Sequence, residues 1–389
     1  MKKATHEQTK NHNARLVLKT IYEQGTISRA DIARATRLTR PTVSSIVNEL
    51  LEAAFVLEDG LGPSAGGKPP TLLTVDGDAH HLICTDLGSQ EFRGALVNLR
   101  GEIQQQVSLP VNGRTGTAAF NLVTELIDAL LAQTTTPILG IGLGTPGLID
   151  PQQGIIQHAV NLGWANLPIR DLLAAQYQKP IYVANDSHMA ALAEYTYGQD
   201  HETSNLILIK IGQGIGAGIV LNGHSYYGDG FGAGEVGHVV VVEPNQGVAC
   251  RCGLRGCLET VASTRAIWHQ AEALAPGNPH YTAGLTWEAI GDALTAGDAA
   301  TTALITEVGH YLGLTIANLV GSLNIHNLVL AGRIDLFGDT LLSAITHTVQ
   351  QRVLPAMAAD TTVHFSTLGR DIVLLGSAAM VLKHELGIV

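Results

Sequence analysis

The chain has 389 residues and a mass of 41.0 kDa, which at roughly 150 residues per domain points to two or three units and a sizeable core. Hydrophobic residues make up 46% and charged residues 15%, with a mean hydropathy of +0.19, and this excludes a largely disordered chain. The formal net charge of −11 is uneven: residues 1–70 hold ten Lys and Arg against seven Asp and Glu, the remainder thirteen against twenty-seven, so an acidic protein carries a basic front that can attract phosphate.

The first residues, MKKATHEQTKNHN, are positively charged but have no apolar segment behind them, unlike a secretory signal. Ala14 to Tyr22 then spaces apolar residues at helical period and stops near Gly25. Ser28, followed three residues later by Asp31, opens a short helix through Ala33 to Thr36. Thr39-Arg40-Pro41 supplies a cap and a first-turn proline for a helix from Thr42 to Ala53. That helix buries Val43, Ile46, Val47, Leu50 and Leu51 and leaves Arg40, Thr42, Ser44, Ser45 and Asn48 on its other face. Two short helices joined by a tight turn, the second small, polar and arginine-tipped, suit the major groove of double-stranded DNA; the plain alternative is a three-helix cap on an enzyme. The following hairpin, Phe55-Val-Leu-Glu, a glycine-rich turn from Gly60 to Gly67 and Lys68 to Val75, reads as a wing that brings Lys68 to a phosphate or minor groove.

From His81 the pattern changes to strands and helices: Leu82 to Leu87, Gly94 to Leu99, a helix Thr117 to Leu131, and a strand Ile138 to Leu143. Such alternation argues for an α/β fold. The most apolar stretch, Pro137 to Ile149, is broken by glycines and falls short of the ~18 residues of a membrane span, so no membrane partner and a cytoplasmic location are expected. Two glycine-bearing turns, Asp86-Leu-Gly-Ser-Gln90 and Gly212 to Gly218, can approach a phosphate, although tight hairpins need glycine for their own reasons. The second lacks the dinucleotide spacing, which disfavours a Rossmann site.

Three of the four cysteines, Cys250, Cys252 and Cys257, follow His238. Three thiolates and an imidazole are the closed ligand set of structural zinc, weighed against free thiols or a redox pair. Cys84, alone in an apolar run, reads as a small buried residue. Asn161 beside Trp164, Asn185-Asp186 at a strand end, and Glu235 and Glu259 flanking the metal ligands add the amides and carboxylates that match sugar hydroxyls, though each alone also fits a cap or turn.

In order, Asp86-Leu-Gly, Gly144-Thr-Pro-Gly147, Asn185-Asp186, Gly212-x-Gly-Ile-Gly-Ala-Gly218, Glu235-x-x-His238 and Cys250-x-Cys-Gly-x-x-Gly-Cys-x-Glu259 resemble the ROK family (repressors, open reading frames, kinases) over essentially the whole chain. The resemblance implies a winged helix-turn-helix domain at 1–75 and a two-lobed actin/hexokinase-like ROK domain at 76–389, with lobe I about 76–187 plus 376–389 and lobe II about 188–375. It implies homodimers or homotetramers and a monosaccharide held in the interlobe cleft by Asn161, Asn185, Asp186, Glu235, His238 and Glu259, with zinc on His238, Cys250, Cys252 and Cys257. In the family's kinases the counterpart of Asp186 is the general base. Here Ser89 and Gln90 stand where those kinases have glycine and threonine, and Gln213 replaces another threonine, which damages the nucleotide site and leaves the sugar site intact. The reading is therefore a sugar-responsive DNA-binding repressor with no catalytic residue of its own; the alternative is an ATP-dependent sugar kinase with an accessory DNA-binding domain and Asp186 as its base.

Overall fold

A computed structural model describes residues 5–63, 69–199, 203–282 and 284–389. The chain forms two compact units: the first holds the described residues up to Gly147 with Pro151–Ala184 and Ser377–Val389, the second Leu148–Asp150 and Asn185–Gly376.

The first unit begins with α1 (His6–Gln24), where the Thr5 hydroxyl accepts from the Gln8 N–H and the Gln8 side chain accepts from the Thr5 N–H. This capping box starts the helix at His6 rather than near Ala14, because its signal lies upstream of the apolar spacing. After β1 (Ile27–Ser28), Ser28 caps α2 (Arg29–Thr36) and Thr39 caps α3 (Arg40–Glu52), with Arg37 in the left-handed region between them at φ 58°. The strands β2 (Val56–Leu61) and β3 (Thr71–Val75) pair antiparallel, and β1 adds to the outer edge of β3. Val17, Ile21, Ile32, Val43, Val47 and Leu73 fill the space among these elements. The module is pinned to the rest of its unit by Arg100, whose guanidinium lies 4.9 Å from the Tyr22 ring centroid and donates to the Tyr22 carbonyl and the Thr74 hydroxyl.

The larger sheet of this unit contains β4 (His81–Leu87), β5 (Glu91–Asn98), β6 (Ile103–Pro110), β7 (Ile138–Thr145) and β8 (Ile181–Asn185), in the order β8-β7-β4-β5-β6, with α4 (Gly116–Leu131) between β6 and β7 in the chain. Strand β4 runs antiparallel to β5 and parallel to β7, and Cys84 is buried within it. The glycines that interrupt the apolar run on β7 have a packing reason: a Cβ on Gly142 would come within 2.6 Å of the Ser377 carbonyl, so the C-terminal helix can press directly onto the strand.

In the second unit α5 (Asp186–Tyr197) follows directly from β8, and its N-cap Asn185 accepts from the Ser187 N–H. The sheet pairs β9 (Leu206–Ile211) antiparallel with β10 (Ile215–Leu221) and parallel with β11 (Asn327–Ala331), which itself runs parallel to β12 (Thr362–Phe365). Ile207, Ile209, Leu328 and Leu330 of the sheet share a core with Leu304, Ile305, Val308, Leu312 and Ile316 of α6 (Ala299–Leu323). By length and composition α6 is apolar enough to cross a membrane, but more than half of that apolar window is buried inside the protein, where it packs in this core.

Candidate functional site

His238, Cys250, Cys252 and Cys257 converge in the second unit, with all four ligand atoms within 4.8 Å of one another. The Cys250 Sγ lies 3.6 Å from His238 Nδ1, and the sulfurs of Cys252 and Cys257 are 3.6 Å apart. Arms of about 2.3 Å from a tetrahedral zinc would place two sulfurs about 3.8 Å apart, so the donors fit that ion in number, kind and spacing. The turn that brings the cysteines together closes when Gly253 N–H donates to the Cys250 carbonyl and Cys250 N–H to the Leu254 carbonyl. Burial first, then the neighbouring thiols, push Cys257 up to about 12, and a bound cation would offset the cost of ionising the thiols at such close range. Because Nδ1 faces the sulfurs, Nε2 of His238 is left for a different partner.

Around this centre stand three carboxylates. Asp186 opens α5 with one oxygen 2.8 Å from Lys210 Nζ and the other 3.3 Å from the Ser187 hydroxyl. Burial works to raise its pKa, but the Lys210 ammonium and the Ser187 N–H and hydroxyl outweigh it and hold the carboxyl below its ordinary value. Glu235 is shifted upward, chiefly by burial, with Asp186 and Glu259 adding to this against the opposing pull of His238. Glu259 lies 3.6 Å from Arg265, and a Cβ on Gly214 would come within 2.7 Å of its carboxylate. Asn185, Asp186, Glu235, His238 and Glu259 are thus all in the second unit, whereas Asn161 belongs to the first, on the single 3-10 turn Val160–Leu162.

The two glycine turns prove different from each other. The loop between β9 and β10 is confined to Gly212–Gly214; Gly216 and Gly218 lie inside β10, where a Cβ would sit 2.4 Å from the Ser187 hydroxyl and 2.3 Å from its carbonyl. These two glycines admit α5 against the sheet and do not extend a phosphate loop. In the first unit Asp86, opposite Arg93 in the β4–β5 register, has its carboxylate 4.0 Å from that buried guanidinium.

On α3, Val43, Ile46 and Val47 are buried, Arg40, Ser45 and Asn48 are exposed, and Thr42 and Ser44 are half-buried. Asn48 also accepts from Arg29 at 3.4 Å, and Thr42 shares its hydroxyl with Thr39 at 2.8 Å. The wing residue Lys68 lies outside the described residues.

Three residues of the second unit escaped the motif reading. Lys210 and Arg265 are the cations that face Asp186 and Glu259, and a lone lysine in the apolar strand Leu-Ile-Leu-Ile-Lys-Ile is a signal that could have been read. His188, passed over as an ordinary histidine, is buried with Nε2 2.8 Å from the Ala233 carbonyl. Burial lowers its pKa, so a neutral ring tethers the loop that carries Glu235.

Comparison with known proteins extends this picture. Residues 82–384 match the model of the ROK family, and residues 10–53 match that of a winged helix-turn-helix DNA-binding domain. The chain is 32% identical to the xylose repressor of Caldicellulosiruptor bescii over 394 residues, 98% of each chain. It is 35% identical to a glucokinase of Halalkalibacterium halodurans over 313 residues, 77% of this chain and 94% of the kinase. A solved ROK family transcriptional regulator, a homolog of the E. coli MLC protein, has the same fold over 98% of both chains with a TM-score of 0.85 and 28% identity.

Proposed function

Because the chain belongs to the ROK family and carries a winged helix-turn-helix module at its front, we propose that it is a sugar-responsive transcriptional regulator that represses carbohydrate-utilisation genes from the cytoplasm. The observation that supports it most directly is α3, with an apolar side packed into the module and a polar, arginine-tipped side facing outward. Arg40, Thr42, Ser44, Ser45 and Asn48 are the proposed groove residues, with Lys68 on the wing at a phosphate.

In this reading the DNA-binding domain spans 1–75 and the ROK domain 76–389, its lobes 76–187 plus 376–389 and 188–375. A monosaccharide is the effector, held by Asn161, Asn185, Asp186, Glu235, His238 and Glu259. Asp186, Glu235 and Glu259 accept from hydroxyls, Asn161 and Asn185 offer both donor and acceptor, and His238 Nε2 completes the set. Zinc on His238, Cys250, Cys252 and Cys257 is structural: with four protein ligands no position remains for substrate, and its part is to fix the imidazole. The regulator acts as a homodimer or homotetramer whose paired modules meet two half-sites, and sugar shifts their spacing.

The chain is proposed not to be an enzyme. The kinase relative keeps phosphoryl transfer in view, but it needs a free Asp186 as proton acceptor, and here that carboxylate already has Lys210 and Ser187. The deciding experiment is an anisotropy titration at fixed salt against duplex DNA from upstream of the protein's own gene, repeated with a panel of sugars. Tight binding relieved by one sugar is expected. Binding no better than to a scrambled duplex, together with sugar-dependent release of ADP from ATP, would transfer the assignment to the kinase.

A further inference from the structure

Lys210 sits on the central strand β9, opposite Gly216 on β10, where no side chain separates the strand from the start of α5. Its ammonium is 2.8 Å from one oxygen of Asp186, and the side chains of the pair are 26% and 15% exposed. The second oxygen faces the Ser187 hydroxyl, and His188 and Glu235 are the other titratable groups whose charge is felt around it. An ionised carboxylate has about four lone-pair directions; lysine and serine take two of them and set the plane of the group.

We propose that Lys210 is a positioning residue of the sugar site: it holds Asp186 as a fixed acceptor for a sugar hydroxyl and withdraws it from proton transfer. This rests on the sugar-binding reading above. The reason is electrostatic. A general base must take up a proton during the reaction, and were Asp186 to do so, the charge–charge attraction of the 2.8 Å contact with the half-buried Lys210 ammonium would be lost. A base is also most effective with a pKa near the working pH, and a lysine at hydrogen-bond distance moves the carboxyl away from it. As an acceptor, by contrast, Asp186 gains from being permanently ionised and immobile. The same pair thus favours binding a hydroxyl and opposes activating it.

The test uses the full chain with Lys210→Met and Lys210→Arg. Carbon-13 spectra of its labelled aspartate carboxylates, assigned with Asp186→Asn, need no sugar. Asp186 is expected to titrate below the ordinary aspartate range in the parent chain, at higher pH in Lys210→Met, and to return toward the parent in Lys210→Arg. Calorimetry with D-xylose and D-glucose is expected to show affinity for the bound sugar lowered about tenfold or more by Lys210→Met, as for loss of a charged hydrogen-bond partner, and largely restored by Lys210→Arg. An unchanged Asp186 titration in a folded Lys210→Met chain would overturn the proposal, as would ATP turnover by the parent chain that depends on Asp186. Sugar binding that is absent from the parent chain removes the sugar reading and the acceptor role with it, while the spectra still report whether Lys210 sets the charge.

Discussion

On α3, Arg40, Ser44 and Ser45 have no side-chain hydrogen bond or ion pair among the described residues, whereas Asp186 is held by Lys210 and Ser187 and Glu259 by Arg265. If this face meets DNA as proposed, Arg40 and Ser45 are exposed with their donors in water, so binding there draws on counterion release and breaks few internal bonds. Asp186 and Glu259 have their charges met in advance by Lys210 and Arg265 and offer only their remaining lone pairs, while Glu235 has no Lys or Arg pair of this kind among the described residues. A solvated surface tolerates change one residue at a time, while a pre-paired one is coupled, so that removing one partner leaves another buried and unpaired.

The largest effect that would sharpen this contrast is expected at the metal centre. Cys252→Ser, or exhaustive chelation, should release stoichiometric zinc, lower the unfolding temperature of the second unit and abolish sugar binding; metal analysis beside calorimetric melting checks it. Full metal content and unchanged sugar affinity in Cys252→Ser would break the link between the knuckle and the cluster. Arg40→Ala comes next: DNA affinity should fall about tenfold, with the slope of log affinity against log salt reduced by about one if the contact is to phosphate, and sugar affinity should not change. Affinity that falls for both ligands would show that the two faces are not independent. The smallest expected change is Thr39→Ala, which removes the cap of α3 and should cost about 1 kcal/mol in the denaturant unfolding of the module while leaving the salt slope intact.

What could be read in advance was whatever depends on short spacing. The cap, proline and apolar period of α3 lie within a few residues of one another, and so do the three cysteines of the knuckle. The start of α1 was missed because the Thr5–Gln8 capping box has no apolar spacing beside it. Gly216 and Gly218 read as loop because glycine marks both a turn and a close helix approach, and only the position of Ser187 tells them apart. Lys210, Arg265 and His188 were hidden for another reason: their partners, Asp186, Glu259 and Ala233, come from separate elements, and charge pairing across a fold leaves no local pattern.

Arg15 of α1 donates to the carbonyl of His384, a bond that joins residues 369 apart in the chain. The winged helix-turn-helix module leaves the ribosome well before His384 is made, so this hydrogen bond waits for the residues between them. At about 5–20 residues per second, that interval is tens of seconds. A nascent chain therefore carries a module that has yet to reach its final seat, and a change around His384 would be felt at α1, 369 residues away in the chain.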